Sequence, residues 1–159
     1  MPQNEADRIV HERKLQQQRQ EELEKQRAAQ ETAARAESLA REIEAEMSVV
    51  FKMLKAQGYP FAQEATIVTW KDTWLSGRKE IKEHKAAWEI GEYRYDFRGD
   101  NVSTTVELFS DGRIRAQNGP VTVSELVKKR SVDLLGIILR GLSDLKRKLE
   151  AAERQAGGA

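Results

Sequence analysis

Cysteine is missing altogether from this sequence of 159 residues, and proline occurs only three times. No apolar run approaches the roughly 18 residues that a membrane span requires. Without thiols there are no disulfides, thiolate metal sites or cysteine nucleophiles, so a reducing compartment, cytoplasmic by default, is expected. The start, MPQNEADRIVHERK, has no apolar stretch behind a basic segment, so neither secretion nor a membrane partner is expected. Excess charge of one sign is also missing, with 27 basic against 26 acidic side chains. Residues 121–159 alone depart from balance, with 8 basic and 5 acidic. That excess is far below the clustered basicity from which phosphate affinity arises.

What is present is charge and helix-forming residues, in a chain whose mean hydropathy is −0.70. From Asn4 to Gln57 neither proline nor glycine occurs, and Glu, Gln, Arg, Lys and Ala dominate. These side chains lose little freedom in a helix. One long helix is expected, ended by Gly58 in a left-handed cap with Pro60 blocking continuation. Its first part, residues 1–28, has too few apolar positions for a core and reads as a charged helical arm. In its second part Ala29, Ala33, Ala36, Ala40, Ile43, Met47, Val50 and Leu54 recur in steps of four and three. This is the seam of a coiled coil, and a partner helix is expected against it.

The period then changes. In ATIVTW, Val68 and Trp70 fall on one strand face and Ile67 and Thr69 on the other. A second strand is expected across AAWEIGEYRYDF, with Trp88 and Ile90 on one face, Tyr93, Tyr95 and Phe97 on the other, and a bulge near Gly91. A turn at residues 99–101, a strand over Val102–Phe109 and a tight turn at Asp111 and Gly112 complete a meander of three or four antiparallel strands. Residues 76–87, SGRKEIKEHKAA, fit a short helix or a basic loop equally well. Beyond Pro120, Thr122 and Glu125 have the spacing of a capping box. Leu135, Ile138, Leu142, Leu145, Leu149 and Ala152 then form the seam of an amphipathic C-terminal helix. The expected fold is α+β, with an α+β domain over residues 29–155 and a disordered tail over 156–159.

No pattern of residues points to catalysis. His11 and His84 are isolated. The pairs Glu80/Lys82 and Glu83/Lys85, with Asp72 or Asp96, have the carboxylate–lysine spacing of metal-dependent nucleases. A chain of this composition supplies roughly two such pairs by chance, so solvated charge explains them better. Arg98, Gly99 and Asp100 spell an integrin tripeptide that turn chemistry accounts for. Gly77, Gly91, Gly99 and Gly112 are isolated, and neither GxGxxG nor GxxxxGK occurs. No catalytic residue, metal or cofactor is therefore expected.

The expected function is non-enzymatic: protein–protein interaction or assembly through the Ala29–Leu54 seam, with a second copy or another helical protein as partner. The alternative is nucleic-acid association through the basic side of the C-terminal helix and sheet. In that reading Lys128, Lys129 and Arg130 contact phosphates, Arg113 and Arg115 stand nearby, and exposed aromatics stack on bases.

Overall fold

The computed structural model describes residues 2–117, 119–129 and 131–157, with side chains from Asn4 onward. Arg130, one of the three candidate phosphate ligands, lies outside the described residues. The fold is α+β: a long N-terminal helix, a four-stranded antiparallel sheet and a C-terminal helix. The elements are α1 (Pro2–Ala56), β1 (Gln63–Thr73), β2 (Gly77–Phe97), β3 (Asp100–Phe109), β4 (Ile114–Arg115), α2 (Val123–Lys128) and α3 (Val132–Gly157). Sheet order follows chain order, β1-β2-β3-β4. Two units are distinguished, Met1–Arg35 and Ala36–Ala159. The C-terminal helix runs to Gly157, so Ala156 and Gly157 are helical where a disordered tail was expected; residues 158 and 159 lie outside the described residues.

The first unit is a helix whose side chains are exposed from Asn4 to Thr32. Pairs four residues apart, such as Glu21 with Lys25 and Glu31 with Arg35, support a helix that is polar all round.

In the second unit α1 ends where the sequence places the stop. The Gly58 N–H donates to the Lys55 carbonyl and the Tyr59 N–H to the Leu54 carbonyl at 2.8 Å, with Gly58 at φ +72°. These two bonds satisfy carbonyls that the helix end leaves unpaired. At the start of α2, Thr122 is the N-cap and its side chain accepts from the Glu125 N–H at 3.3 Å, which is the forward half of the expected capping box. The helix breaks around Ser131 and resumes as α3.

Residues 77–87 are neither helix nor loop; they are the first half of β2, paired with β1 from Thr73↔Gly77 to Gln63↔Ala87. Lys and Glu dominate this segment and carry no strand preference of their own. Hydrogen bonding to the β-branched ATIVTW segment decides its conformation. The expected bulge is present, as a register shift between Glu89 and Gly91. Its effect corrects the expected facing. Trp88 lies opposite Leu108, and Gly91, Tyr93 and Tyr95 lie opposite Val106, Thr104 and Val102. Residues directly opposite share a face, so the extra residue brings Tyr93 and Tyr95 onto the same face as Trp88. At the next turn Arg98 and Gly99 both have positive φ, +51° and +82°, the backbone of a two-residue hairpin.

The main core lies between that sheet face and the helices. Trp88, Ile90, Val106 and Leu108 from the sheet cluster with Leu135, Ile138, Leu142, Leu145 and Leu149 from α3, and with Ala36, Ala40, Ile43, Val50 and Leu54 from α1. α3 sits close on the bulge: a Cβ at Gly141 would collide with the Ile90 carbonyl oxygen and stand 2.8 Å from its carbon. Across the α1–α3 contact, the Gln57 side-chain amide donates to the Leu149 carbonyl at 3.0 Å. Lys146 pairs there with Glu46 at 3.5 Å.

The opposite sheet face carries a smaller cluster, Ala65, Ile67, Ala87 and Phe109. Arg115 on β4 lies 5.1 Å over the Phe109 ring and donates to the Thr66 carbonyl on β1 at 3.0 Å. The sheet therefore curls enough for its fourth strand to reach its first. No helix among the described residues is long and apolar enough to cross a membrane.

Candidate functional site

The seam on α1 divides at the end of the first unit. Ala29 is exposed and Ala33 half-buried, whereas Ala36, Ala40, Ile43, Val50 and Leu54 are buried and Met47 is half-buried against the same cluster. The three-and-four periodicity is thus satisfied, from Ala36 onward, by this chain's own α3 and sheet. A partner helix cannot occupy that stripe without displacing the core. Of the residues expected at a partner interface, those from Ala36 to Leu54 are thus packed in this chain's own core.

The basic residues are dispersed among carboxylates. Arg113 pairs with Asp111 at 2.7 Å and with Glu83 at 3.3 Å, Arg115 with Glu107 at 2.9 Å and Lys85 with Asp111 at 3.1 Å. Burial alone would raise the Asp111 carboxyl. The Arg113 backbone N–H, the Arg113 guanidinium and the Lys85 ammonium outweigh it and hold that carboxyl below its ordinary value. Lys128 and Lys129 are exposed, and Lys128 borders a shallow groove with Glu37, Arg41 and Glu44. A phosphate there would meet two carboxylates.

Glu83 and Lys85 share one sheet face and each pairs with a β3–β4 residue, while Glu80 and Lys82 share the other face at 3.8 Å from each other. Asp72 pairs with Arg78. His84 is exposed beside Thr66 and Glu64. Among the described residues no group of three His, Asp or Glu side chains could hold a metal ion.

The aromatics separate sharply. Trp88 is buried, its indole N–H donating to the Pro60 carbonyl at 2.8 Å and its ring 5.8 Å from Tyr59. Trp70 and Trp74 are 59% and 92% exposed. They belong to the distal half of the β1–β2 hairpin, which extends past Ile67 and Ala87, where both clusters end. There Val68 and Trp70 stand on the helix-side face, beyond the helices. Asp72/Arg78, Glu80/Lys82 and Glu64/His84 pair around them on that same face. Leu75 at the tip is 80% exposed, and Ile81 and Val68 are also exposed. At the other end of β1, Tyr59 and Phe61 are exposed too, with φ of +56° and +64°. Bulky residues rarely adopt that conformation. Large apolar side chains left in water along one hairpin are the kind of surface that marks interaction sites.

Sequence reasoning missed this surface because ATIVTW and its neighbours read as an ordinary half-buried strand. The one available signal was the Trp74–Leu75 pair directly before Ser76 and Gly77, since a turn sequence normally carries polar residues at its tip. No protein-family model matches the chain, and no curated protein or solved structure is significantly similar to it.

Proposed function

We propose that this chain is a non-enzymatic protein–protein interaction or assembly module whose contact surface is the β1–β2 hairpin. The observation that carries this reading is the exposure of Trp70, Trp74 and Leu75 on a hairpin that extends beyond both apolar clusters. Burying them on association removes apolar area from water, at about 25 cal/mol per Å². Large aromatic side chains are also those that dominate interface energetics. Asp72, Glu83, Lys85 and Arg115, which the sequence offered for other chemistry, stand in ion pairs. Nucleic-acid association draws little support, since Arg113, Arg115 and Lys128 stand beside carboxylates. A cytoplasmic setting belongs to the same proposal and rests on the cysteine-free composition.

The test compares the natural chain with a hairpin variant, Trp70→Thr with Trp74→Ser and Leu75→Ser. All three positions are outside the core, so the variant keeps the natural circular dichroism. Association, with itself or with a captured protein, is expected for the natural chain and absent from the variant. Equal association by both, or none by either, refutes the reading.

A further inference from the structure

Resting on that reading of the hairpin, we propose that its partner is a second copy of this chain, paired antiparallel along the outer edge of β1 about a two-fold axis at Thr69. β1 is an edge strand of 11 residues, and no backbone bond along its outer side is present among the described residues. Alternate residues of such a strand present N–H and C=O groups outward, a template for another strand. The opposite edge offers no comparable length: β4 has two residues, and Ile114 is already bridged to Val121.

Self-pairing of one edge is isologous, so each contact occurs twice. A two-fold perpendicular to the sheet keeps every residue on its own face, and the axis must then pass through a residue. The side chains select which one. With the axis at Thr69, Val68 lies opposite the partner's Trp70 and Trp70 opposite the partner's Val68. Aromatic and β-branched residues pair favourably across strands. Ile67 lies opposite the partner's Lys71 and Thr66 opposite the partner's Asp72, so no like charges meet.

Neighbouring axes are worse. At Val68, Glu64 would face the partner's Asp72, and like charges directly opposite are destabilising. At Trp70, Val68 would face that same aspartate. At Ile67, Trp70 would face the partner's Glu64, a charge set against an apolar ring. Glu64 and Asp72 thus favour the Thr69 axis over these three neighbours.

The same axis accounts for the exposed residues at both ends of β1. Antiparallel pairing runs the hairpin tip, with Trp74 and Leu75, along the partner's chain toward the partner's Phe61 and Tyr59. Each copy thereby covers the apolar end that the other leaves bare. A convex apolar tip, an unpaired edge and an exposed aromatic pair at its far end have one explanation in common.

The absence of cysteine makes the test direct. Sedimentation equilibrium of the full chain is expected to give a mass of two chains. Thr69→Cys, incubated with oxidised glutathione, is expected to form a disulfide-linked dimer. Residues directly opposite in an antiparallel pair have Cα atoms about 4.5–5.5 Å apart, within reach of a disulfide. Thr73→Cys, which would face the partner's Ala65, stays uncrosslinked. Val68→Lys, at a half-exposed position, is expected to leave circular dichroism unchanged and weaken dimerisation by roughly tenfold or more.

A one-chain mass at every concentration overturns the proposal. So does a dimer in which Thr69→Cys links no better than Thr73→Cys. If the chain is a monomer yet the hairpin variant loses a protein that the natural chain captures, the second copy is refuted while the hairpin as contact surface stands.

Discussion

Replacing Gly141 by alanine tests whether α3 is seated on the β2 bulge as described. Alanine is favoured over glycine inside a helix by about 1 kcal/mol, so an isolated α3 would gain from the change. In the fold, the new methyl would collide with the Ile90 carbonyl oxygen and lie 2.8 Å from both the carbonyl carbon and Cβ of that residue. The obstacle is backbone at a register shift between two paired strands, and it has no rotamer to escape into. Overpacking a core costs about 1–3 kcal/mol. A main-chain obstacle belongs at the upper end, so the net loss is about 2 kcal/mol.

Gly136 in the same helix provides the control, because a Cβ there meets nothing within 4 Å. Gly136→Ala should stabilise by about 1 kcal/mol. For a chain of this size 1 kcal/mol moves Tm by about 2–4 °C. Gly141→Ala is therefore expected to melt about 4–8 °C below the natural protein, and Gly136→Ala about 2–4 °C above it. Urea unfolding followed by tryptophan fluorescence, at one fixed protein concentration, measures both. A Gly141→Ala protein as stable as Gly136→Ala would refute the close approach of α3 to the bulge.

Two further substitutions probe the local devices. Thr122→Ala removes the side chain that accepts from the Glu125 N–H. A loss of about 1 kcal/mol is expected in urea unfolding, and an unchanged midpoint would show that the cap contributes nothing. Asp111 has its folded pKa depressed below the ordinary 3.8. Its contribution to stability is therefore complete above that value and is lost as pH falls through the folded pKa. Asp111→Asn should melt below the natural protein at neutral pH, and the gap should close under acid conditions below about pH 3.8. A gap that stays constant across that range would mean that charge at position 111 is not what holds the β3–β4 turn.

Local signals were legible in the sequence wherever a few neighbouring residues suffice to produce the geometry. Gly58 and Pro60 end α1 because only a residue free to turn left-handed closes a helix this way, and Thr122 begins α2 because its oxygen reaches a backbone donor three residues on. The alternation in ATIVTW and VSTTVELF, and the seam on α3, marked apolar faces that the fold buries or displays as units. Periodicity states which side of an element is apolar; it is silent on what lies against that side. Tertiary structure alone decided that the α1 seam from Ala36 to Leu54 rests on the chain's own α3 and sheet, and that Lys79 to Lys85 form a strand because β1 pairs with them. It alone decided that Trp88 is enclosed while Trp70 and Trp74 stand in water. The reason is the same in each case: burial and pairing depend on residues distant in the chain, and the hairpin extends past the helices that cover the rest of its face.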